Sequence, residues 1–274
     1  MSEFLNNSGG VSFISFGGVF REILHGFSLR SGGVSEKPFH TLNLGYHVSD
    51  DVEAVSNNRQ KIASILNYDP GRVVTGRQVH GSNVVTVTAS ESGRGAFGDE
   101  SSLPETDGLV SLQPEVVLMA HSADCAILFF YDPVNKSIGL AHGGWRGTVK
   151  GITNNIIDTM VNNGSLLNNI HVALSPTIGP CCYKVGAEFA EIIPIRWRRD
   201  VIIQRDGISF MDLPGLQRLL LLDAGITEAN ITKSCYCTCC HTDMFFSYRA
   251  EGYKTGRMAG IISLKSEIAD EKDK

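Results

Sequence analysis

The segment "SADCAILFFYDPVNKSIGLAHGGWRG" (residues 122–147) consists of two apolar runs joined by the turn-forming sequence Asp-Pro-Val-Asn-Lys. Apolar runs of strand length on either side of such a turn predict a β-hairpin. In the register that pairs Asp132 with Ser137, Cys125 and His142 project from the same face as diagonal neighbours, because side chains alternate between the two faces of a strand. The hairpin therefore predicts a thiol and an imidazole that converge at its open end, whereas a shift of one residue in the register would separate them.

The composition of the whole chain is that of an ordinary globular protein. It has 274 residues, of which 42% are hydrophobic, and a formal net charge of −5, which predicts a single domain over residues 1–274 with a sizeable core. The densest cationic cluster, residues 196–199, is short and is followed by an aspartate, so we expect no nucleic-acid partner. No apolar run approaches the roughly 20 residues of a membrane helix, so we expect no membrane partner either.

The first residues bear on the location of the protein. "MSEFLNNSGG" lacks the basic start and the apolar stretch of a secretory signal peptide, which predicts a cytoplasmic protein. In that reducing compartment the seven cysteines of the chain are expected to bind metal or to take part in catalysis rather than to form a disulfide framework.

Periodicity along the chain predicts strands that outnumber the helices and alternate with them. The predicted strands cover residues 11–30, 72–88 with an interruption at 80–81, 108–111, 115–120, 126–132, 137–142, 231–237 and 258–263, and residues 171–179 are predicted as a strand and turn. The predicted helices cover residues 52–66 with Asp51 as the N-cap, a segment from Val149 with Thr148 as the N-cap, 186–193 and 214–224. This interleaving predicts the α+β class, a mixed α/β fold.

A metal centre at the mouth of the hairpin needs a third ligand, and His80 is the candidate. It lies in "RQVHGSN" (residues 77–83), where the predicted strand pair is interrupted and a side chain can leave the sheet. His80, Cys125 and His142 form a ligand set that suits zinc and leaves a fourth position for water or substrate. Zinc there would lower the pKa of a bound water toward neutrality. The alternative is a buried cysteine beside two hydrogen-bonded histidines.

The residues that follow His142 predict an anion-binding site beside this centre. Two glycines permit a ligand to approach the backbone, and Trp145 offers a flat surface. Arg146 precedes the predicted start of a helix at Thr148, and a helix N-terminus with a nearby guanidinium attracts anions. This combination favours a substrate that carries, or reacts with, a phosphate or a carboxylate. The alternative is that Arg146 is an ordinary surface cation.

A second group of cysteines occurs in "SCYCTCCHTD" (residues 234–243). Cys237 and Cys240 form a Cys-x-x-Cys pair, and Cys181 with Cys182 would complete a structural zinc site. We favour buried thiols near the pocket over such a site. A redox-active pair is disfavoured, because "HTDMFFSYR" predicts a loop that enters a strand rather than a helix.

A series of motifs runs through nearly the whole chain, from about residue 25 to residue 264. They are "HGFSLRSGGVS", "TLNLGYHVSDD", "NNRQKIA", "RQVHGSNVV", "TDGLVS", "SADCAILFFYDP", "GLAHGGWRGTVKGI", "IGPCCYKVG" and "FFSYRAEGYKTGRMA". The combination of Gln-Val-His-Gly, Ala-Asp-Cys and His-x-Gly-Trp-Arg-Gly is highly specific. With these motifs the chain resembles the YfiH/YlmD-type family, long labelled laccase-domain or polyphenol oxidase and later associated with purine nucleoside phosphorylase activity.

This resemblance implies a layered α/β/β/α sandwich with mixed sheets and a zinc ion held by His80, Cys125 and His142. It also implies phosphorolysis of adenosine, inosine, guanosine and methylthioadenosine, together with deamination of adenosine. Purine nucleosides and phosphate are therefore the expected partners. Three further residues are implied to line the nucleoside and phosphate pocket: Asn43, Arg59 and Arg146.

Asp124, beside the cysteine, is a candidate for handling a proton or for a structural hydrogen-bonding role. The chain also departs from the family pattern at a few positions. Ala126 and Ile127 stand where Val-Pro is common, Gly143 stands where alanine is common, and Ala250 stands where a second arginine is common. None of these departures removes a predicted ligand.

Three alternative functions involve the same residues. Copper-dependent oxidation of phenols needs several histidine-rich sites, and the eight histidines include no His-x-His pair, so copper is disfavoured relative to zinc. A metal-free hydrolase would use Cys125 as the nucleophile and His142 as the base. A non-catalytic binding module is disfavoured by the convergence of reactive residues. The sequence leaves the oligomeric state open.

Overall fold

The computed structural model describes residues 2–186 and 189–265. Its strands are β1 (Glu3–Ser8), β2 (Val11–Phe16), β3 (Leu24–Ser28), β4 (Val73–Thr75), β5 (Val84–Thr86), β6 (Gly108–Ser111), β7 (Val117–Ser122), β8 (Ala126–Asp132), β9 (Ser137–Gly143), β10 (His171–Leu174), β11 (Lys184–Val185), β12 (Ile202–Arg205), β13 (Ile208–Met211), β14 (Ile231–Lys233) and β15 (Met258–Ser263). Its α-helices are α1 (Val52–Leu66), α2 (Trp145–Val149), α3 (Ile152–Asn162), α4 (Phe189–Ile192), α5 (Ile195–Val201), α6 (Leu213–Asp223) and α7 (Tyr248–Glu251).

Two mixed sheets form the centre of the fold. The first has the strand order β1-β2-β3-β15-β7-β4, and the second has the order β14-β10-β8-β9-β6-β5. Antiparallel pairs predominate, and the parallel pairs are β4 with β7, β10 with β14, and β5 with β6. A small third sheet has the order β11-β13-β12.

The two mixed sheets pack face to face, with helices on their outer sides. Along β8, Phe129 belongs to the core between the sheets, whereas Phe130 belongs to a second core with Ile156 of α3. On the outer face of the first sheet, Ile62 of α1 and Ile261 of β15 belong to a third core. The layers are therefore α/β/β/α, as expected. Because β8 is buried on both faces, its sequence is a continuous apolar run.

The hairpin of β8 and β9 has the predicted register. Asp132 pairs with Ser137, and Ile127 pairs with His142. The Asp132 carboxylate accepts two backbone N–H groups of the turn, at 2.9 and 3.0 Å, which fixes the turn locally. Cys125, two residues before Ile127, lies at the end of the layer between the two sheets, on the same side as His142.

The predicted helix after the hairpin is wrong in its start. Two helices, α2 and α3, occupy this region, and Gly151 separates them at φ +97°. This left-handed conformation, which glycine adopts at little cost, interrupts the helical path. Thr148 lies inside α2, and its hydroxyl donates to the carbonyl oxygen of Gly144 at 2.9 Å instead of capping a helix.

Elements near the cysteine-rich segment differ in part from the prediction. β10 ends at Leu174, where the predicted turn follows, and β14 ends at Lys233, where a loop replaces the strand predicted as far as residue 237. The segment of residues 241–249 enters α7 and not a strand. Of the helix predicted over residues 186–193, the part that includes residues 187–188 lies outside the described residues.

The first helix is confirmed with its predicted bounds and cap. The Asp51 carboxylate accepts the backbone N–H of Glu53 at 3.2 Å, and Asn67 ends the helix at φ +58°. In the described part of the chain, no helix combines the length and the apolar character that spanning a membrane requires.

Candidate functional site

Three side chains from separate segments meet at the end of the layer between the sheets. His80 lies in the loop between β4 and β5, Cys125 directly precedes β8, and His142 lies in β9. One potential ligand atom from each lies within 4.8 Å of the others, and Sγ of Cys125 is 3.9 Å from Nε2 of His80. The two imidazole rings meet edge to face, with their centroids 4.8 Å apart. The structure thus brings together the three residues that the sequence singled out as ligands.

Asp107, which sequence reasoning missed, holds both histidines in place. Its Oδ1 accepts a hydrogen bond from Nδ1 of His142 at 2.9 Å and from the backbone N–H of His80 at 3.1 Å. Its Oδ2 accepts the N–H groups of Val79 and Gly81 at 3.0 and 2.8 Å. With Nδ1 engaged in this way, Nε2 of His142 is the nitrogen available to a metal. The sequence signal that could have identified Asp107 is its position directly before the strand predicted over residues 108–111.

The charged groups of this centre shift one another's pKa values. Burial acts to raise the pKa of Cys125, but the charge and hydrogen bonds of His142 and His80 lower it to about 6. Burial acts to lower the pKa of His142, but the Cys125 thiolate and the Asp107 carboxylate raise it to about 9. In the metal-free protein the pair is therefore a thiolate and an imidazolium at neutral pH.

The backbone conformation at the centre allows residue 144 to lie very close to two of the candidate ligands. His80 has φ +55° and Asp124 has φ +91°, in the left-handed region that non-glycine residues seldom adopt. At Gly144 a Cβ atom would lie 2.8 Å from Cδ2 of His80 and 2.9 Å from Sγ of Cys125. A side chain at residue 144 would therefore push two candidate ligands aside, which explains why this position is a glycine.

The three candidate ligands form part of the wall of a cavity of about 540 Å³, a volume typical of small-molecule sites. The cationic residues of the wall are Arg77, Arg146, Arg249 and Arg257. The aromatic residues of the wall are Trp145, Tyr183 and Tyr248, and the acidic ones are Asp99 and Asp124. The excess of guanidinium groups favours an anionic ligand, and the rings favour a flat one.

Two further histidines line the cavity in their neutral form, and sequence reasoning singled out neither. Burial and the charge of Arg257 lower the pKa of His47 to about 4. Burial and the charge of Arg59 hold the pKa of His121 well below its usual value. The backbone of His121 is fixed by Gln78, whose side chain accepts from its N–H at 2.7 Å and donates to its carbonyl at 2.8 Å. Neutral imidazoles suit hydrogen bonds to an uncharged part of a ligand.

Asn43 and Arg59, which the resemblance implied for the pocket, are not among the residues that line this cavity. Asn43 is fully buried, and its Oδ1 accepts the backbone N–H of Arg257 at 2.9 Å. Arg59 donates to the carbonyl oxygen of Leu44 at 2.8 Å, and its Nη2 lies 2.9 Å from Nε2 of His121. Their polar atoms are thus committed to protein partners. Asn43 thus fixes the backbone of Arg257, and Arg59 contacts the side chain of His121, both in the wall of the cavity.

Asp124 lines the cavity, but its carboxylate is engaged by the surrounding loops. Oδ1 accepts the Thr238 hydroxyl at 2.6 Å, and Oδ2 accepts the Ser247 hydroxyl at 3.0 Å and the N–H of Arg249 at 2.6 Å. Burial raises the pKa of this carboxyl, while the three hydrogen bonds oppose the rise. The geometry favours the structural role considered for Asp124 over the transfer of a proton.

Arg146 is exposed and lines the cavity, with its guanidinium 4.3 Å from the centroid of the Trp145 ring. The expected helix N-terminus beside it does not form an anion site, because α2 has a length of 5 residues and α3 begins only after Gly151. Guanidinium groups of the wall remain as candidate anion ligands, among them Arg249, which lies 5.0 Å from the ring centroid of Tyr183.

Similarity to known proteins extends over most of the chain. Residues 24–265 match the family described as multi-copper polyphenol oxidoreductase laccase. The chain is 36% identical over 249 residues to purine nucleoside phosphorylase YlmD of Bacillus subtilis, covering 89% of this chain and 90% of that protein. It is 35% identical over 241 residues to a purine nucleoside phosphorylase of Deinococcus radiodurans, covering 88% of each.

Two crystal structures have the same fold. YlmD from Geobacillus stearothermophilus superposes with a TM-score of 0.90 at 33% identity, over 97% of this chain and 100% of that one. The hypothetical protein YfiH of Bacillus licheniformis also gives a TM-score of 0.90, at 35% identity over 95% of this chain and 99% of that one. The chain therefore belongs to the laccase-domain family that contains YlmD and YfiH, as its motifs predicted.

Proposed function

We propose that this protein is a zinc-dependent purine nucleoside phosphorylase. It converts adenosine, inosine and guanosine with phosphate to the base and ribose 1-phosphate, treats methylthioadenosine in the same way, and deaminates adenosine. The observation that carries the proposal is the convergence of His80, Cys125 and His142 in a cavity whose cationic side chains are arginines. The names of the relatives support the phosphorylase reaction, and the other activities extend it.

The donor set of the centre fits zinc. Two imidazoles and one thiolate match the ligand types of catalytic zinc sites, which keep one position open. Asp107 supplies the carboxylate partner that orients such a histidine. A zinc ion held by these residues would supply a Lewis acid at the cavity wall. Copper oxidation is disfavoured, since of the two ligand clusters found in residues 2–186 and 189–265 only this one contains histidine.

The side chains of the wall bind and orient both substrates. Arg146 and Arg249 attract phosphate, and Trp145 and Tyr183 offer flat faces to a purine. In phosphorolysis a phosphate oxygen attacks C1′ of the ribose, the bond from C1′ to the purine nitrogen breaks, and its electron pair leaves with the base. His47, held neutral by burial, hydrogen-bonds the uncharged part of the nucleoside without repelling the arginines.

Product analysis separates the proposed activities. Zinc-loaded protein is incubated with adenosine in the presence and absence of phosphate. Adenine and ribose 1-phosphate formed only with phosphate indicate phosphorolysis, and inosine formed without phosphate indicates deamination. The variant His80→Ala is expected to lose both reactions, and Cys235→Ser, at an exposed thiol outside the cavity, is the matched control. No turnover by the wild type, or full turnover by His80→Ala, would contradict the proposal.

A metal-free hydrolase is the second candidate, because Cys125 and His142 pair as thiolate and imidazolium. In that enzyme Cys125 would be the nucleophile. Activity that survives thorough chelation but is abolished by alkylation of the thiol would favour the hydrolase. The zinc enzyme is expected to lose activity on chelation and to regain it when zinc is returned.

We propose the cytoplasm as the location of the protein. Its seven cysteines are all free thiols, which supports a reducing compartment, and its relatives include several bacterial enzymes. Fractionation of the native cells, with detection of the protein in the soluble fraction, tests this location.

A further inference from the structure

Four cysteine side chains outside the cavity form a second cluster, on the loops that follow β10 and β14. The sulfur atoms of Cys181, Cys182, Cys237 and Cys240 all lie within 4.8 Å of one another. Sγ of Cys240 is 3.3 Å from Sγ of Cys182 and 3.3 Å from Sγ of Cys181. These separations exceed the roughly 2.05 Å of a disulfide bond, and all four residues are free thiols.

We propose that this cluster, the four-cysteine cluster, is a closed structural zinc site. Structural zinc is tetrahedral with Zn–S distances of about 2.3 Å, which places its sulfurs about 3.8 Å apart. The observed separations, from 3.3 Å to at most 4.8 Å, lie on both sides of that value. Cys237 and Cys240 have the Cys-x-x-Cys spacing of such sites, and the adjacent Cys181 and Cys182 supply the other two ligands. The four thiols release their protons to solvent as the ion binds.

The surroundings of these thiols favour a metal over a packing role. Cys181 and Cys240 are exposed, whereas a cysteine that fills a core is normally buried. This differs from the sequence expectation of buried thiols. Sγ of Cys237 accepts the backbone N–H of Gly179 at 3.2 Å, a contact that stabilises the thiolate form required for metal binding.

An ion bound by the four cysteines would join the loops after β10 and β14, and these two loops hold Asp124, which lies just before β8. Thr177 and Cys237 form a parallel β-bridge between the loops. The hydroxyls of Thr177 and Thr238, one from each loop, donate to the carbonyl and the carboxylate of Asp124, both at 2.6 Å. Asp124 is bonded to Cys125 in the chain, so the four-cysteine cluster positions a candidate ligand of the first centre without contacting the cavity.

Metal analysis of the full-length, zinc-loaded protein tests this proposal. The wild type is expected to hold two zinc ions per chain, and the double variant Cys181→Ser/Cys240→Ser one. The double variant His80→Ala/His142→Ala is also expected to hold one, and Cys235→Ser, whose thiol contacts Glu3, keeps two. With cobalt(II) in place of zinc, Cys181→Ser/Cys240→Ser loses most of the sulfur-to-metal absorption. Unchanged metal content in Cys181→Ser/Cys240→Ser would overturn the proposal.

Thiol labelling of the wild type gives a second test that does not depend on how the variants fold. We expect iodoacetamide to modify the exposed Cys181 and Cys240 at least tenfold faster after chelation than in the zinc-loaded protein. The exposed Cys235 is the internal control and is expected to react equally in both. Equal labelling of Cys181 and Cys240 in both states would overturn the proposal. A native mass lower by two hydrogens would overturn it as well, because it would show a disulfide in the cluster.

Discussion

The two cysteine-containing clusters of this molecule are built in opposite ways. The centre of His80, Cys125 and His142 stands where buried strands of the second sheet end, and Asp107 holds His142 and the backbone of residues 79–81 through four hydrogen bonds. The four-cysteine cluster lies on two loops, with exposed thiols and the N–H of one glycine for support. Both arrangements are present without an ion, but only the first is held by hydrogen bonds to a buried carboxylate, whereas the second is the one that our proposal closes with a structural ion. A sheet can thus preorganise reacting groups, while a loop cluster contributes stability.

The largest expected difference between the two clusters is in the catalytic activity of variants that each lose one cysteine. Cys125→Ser removes a ligand of an ion that is expected to contribute several kcal/mol to the reaction, so kcat/KM for inosine phosphorolysis should fall by at least about 10³-fold. Cys240→Ser removes a ligand that does not line the cavity, and kcat/KM should stay within about tenfold of the wild type. Steady-state kinetics below the unfolding temperature of each variant measure both. Equal losses in the two variants would remove the distinction between the clusters.

The variant Gly144→Ala tests whether the first centre tolerates an added methyl group. The new Cβ would clash with His80 and Cys125 at 2.8 and 2.9 Å, and such overpacking costs about 1–3 kcal/mol. Zinc affinity should therefore fall by up to about 100-fold, measured by competition with a chelating dye. Gly71→Ala is the matched control, because its Cβ would first meet the side chain of Asp69, at 3.2 Å. An unaffected affinity in Gly144→Ala would show that the centre is looser than its geometry indicates.

The variant Asp107→Asn keeps the three candidate ligands of the first centre but weakens the hydrogen-bonded support that orients them. The amide keeps the size of the side chain but loses the charge that orients His142, so zinc affinity and kcat should each fall by about 10- to 100-fold. Asp132→Asn, at the turn of the β8–β9 hairpin and far from its open end, removes a turn carboxylate and should lower thermal stability without altering zinc affinity. Competition titration and thermal unfolding of both variants give the comparison. A zinc affinity of Asp107→Asn equal to that of the wild type would argue against this role of Asp107.

The pairing of Cys125 with His142 in the first centre was predictable because it follows from local chemistry, whereas His80 comes from the distant loop between β4 and β5. The Asp132 turn and the alternation of side chains fix the register of β8 and β9, and the register alone brings Cys125 and His142 together. The break at Gly151 was not predictable from the apolar period, since a glycine within such a period is tolerated in one tertiary context and ends a helix in another.

Long-range contacts explain what the sequence could not show. Asp107 reaches His142 because β6 pairs with β9, a pairing that periodicity does not specify. The motif that contains Arg59 marks it as a residue of interest, but it does not say whether its guanidinium faces the ligand or the protein. The carbonyl group of Leu44 and the ring of His121, which settle that question, come from distant segments.

The smallest expected effect is a difference between the two clusters in the pH dependence of thiol alkylation, measured in the zinc-free protein. The pKa of Cys125 is lowered to about 6, whereas partial desolvation by the neighbouring loops and hydrogen bonds with Cys237 and Cys240 raise the pKa of the exposed Cys181 to about 12. Since the thiolate is the reactive form, alkylation of Cys125 should fall about tenfold between pH 7 and pH 5, as the thiolate is protonated. Alkylation of Cys181 should still increase with pH above 8, where that of Cys125 has levelled off.

The variant His142→Gln removes the cation beside Cys125 and should therefore move the inflection of the Cys125 profile to higher pH. Mass spectrometry of labelled peptides measures both profiles, and a common inflection for the two cysteines would show that their environments do not differ in this way.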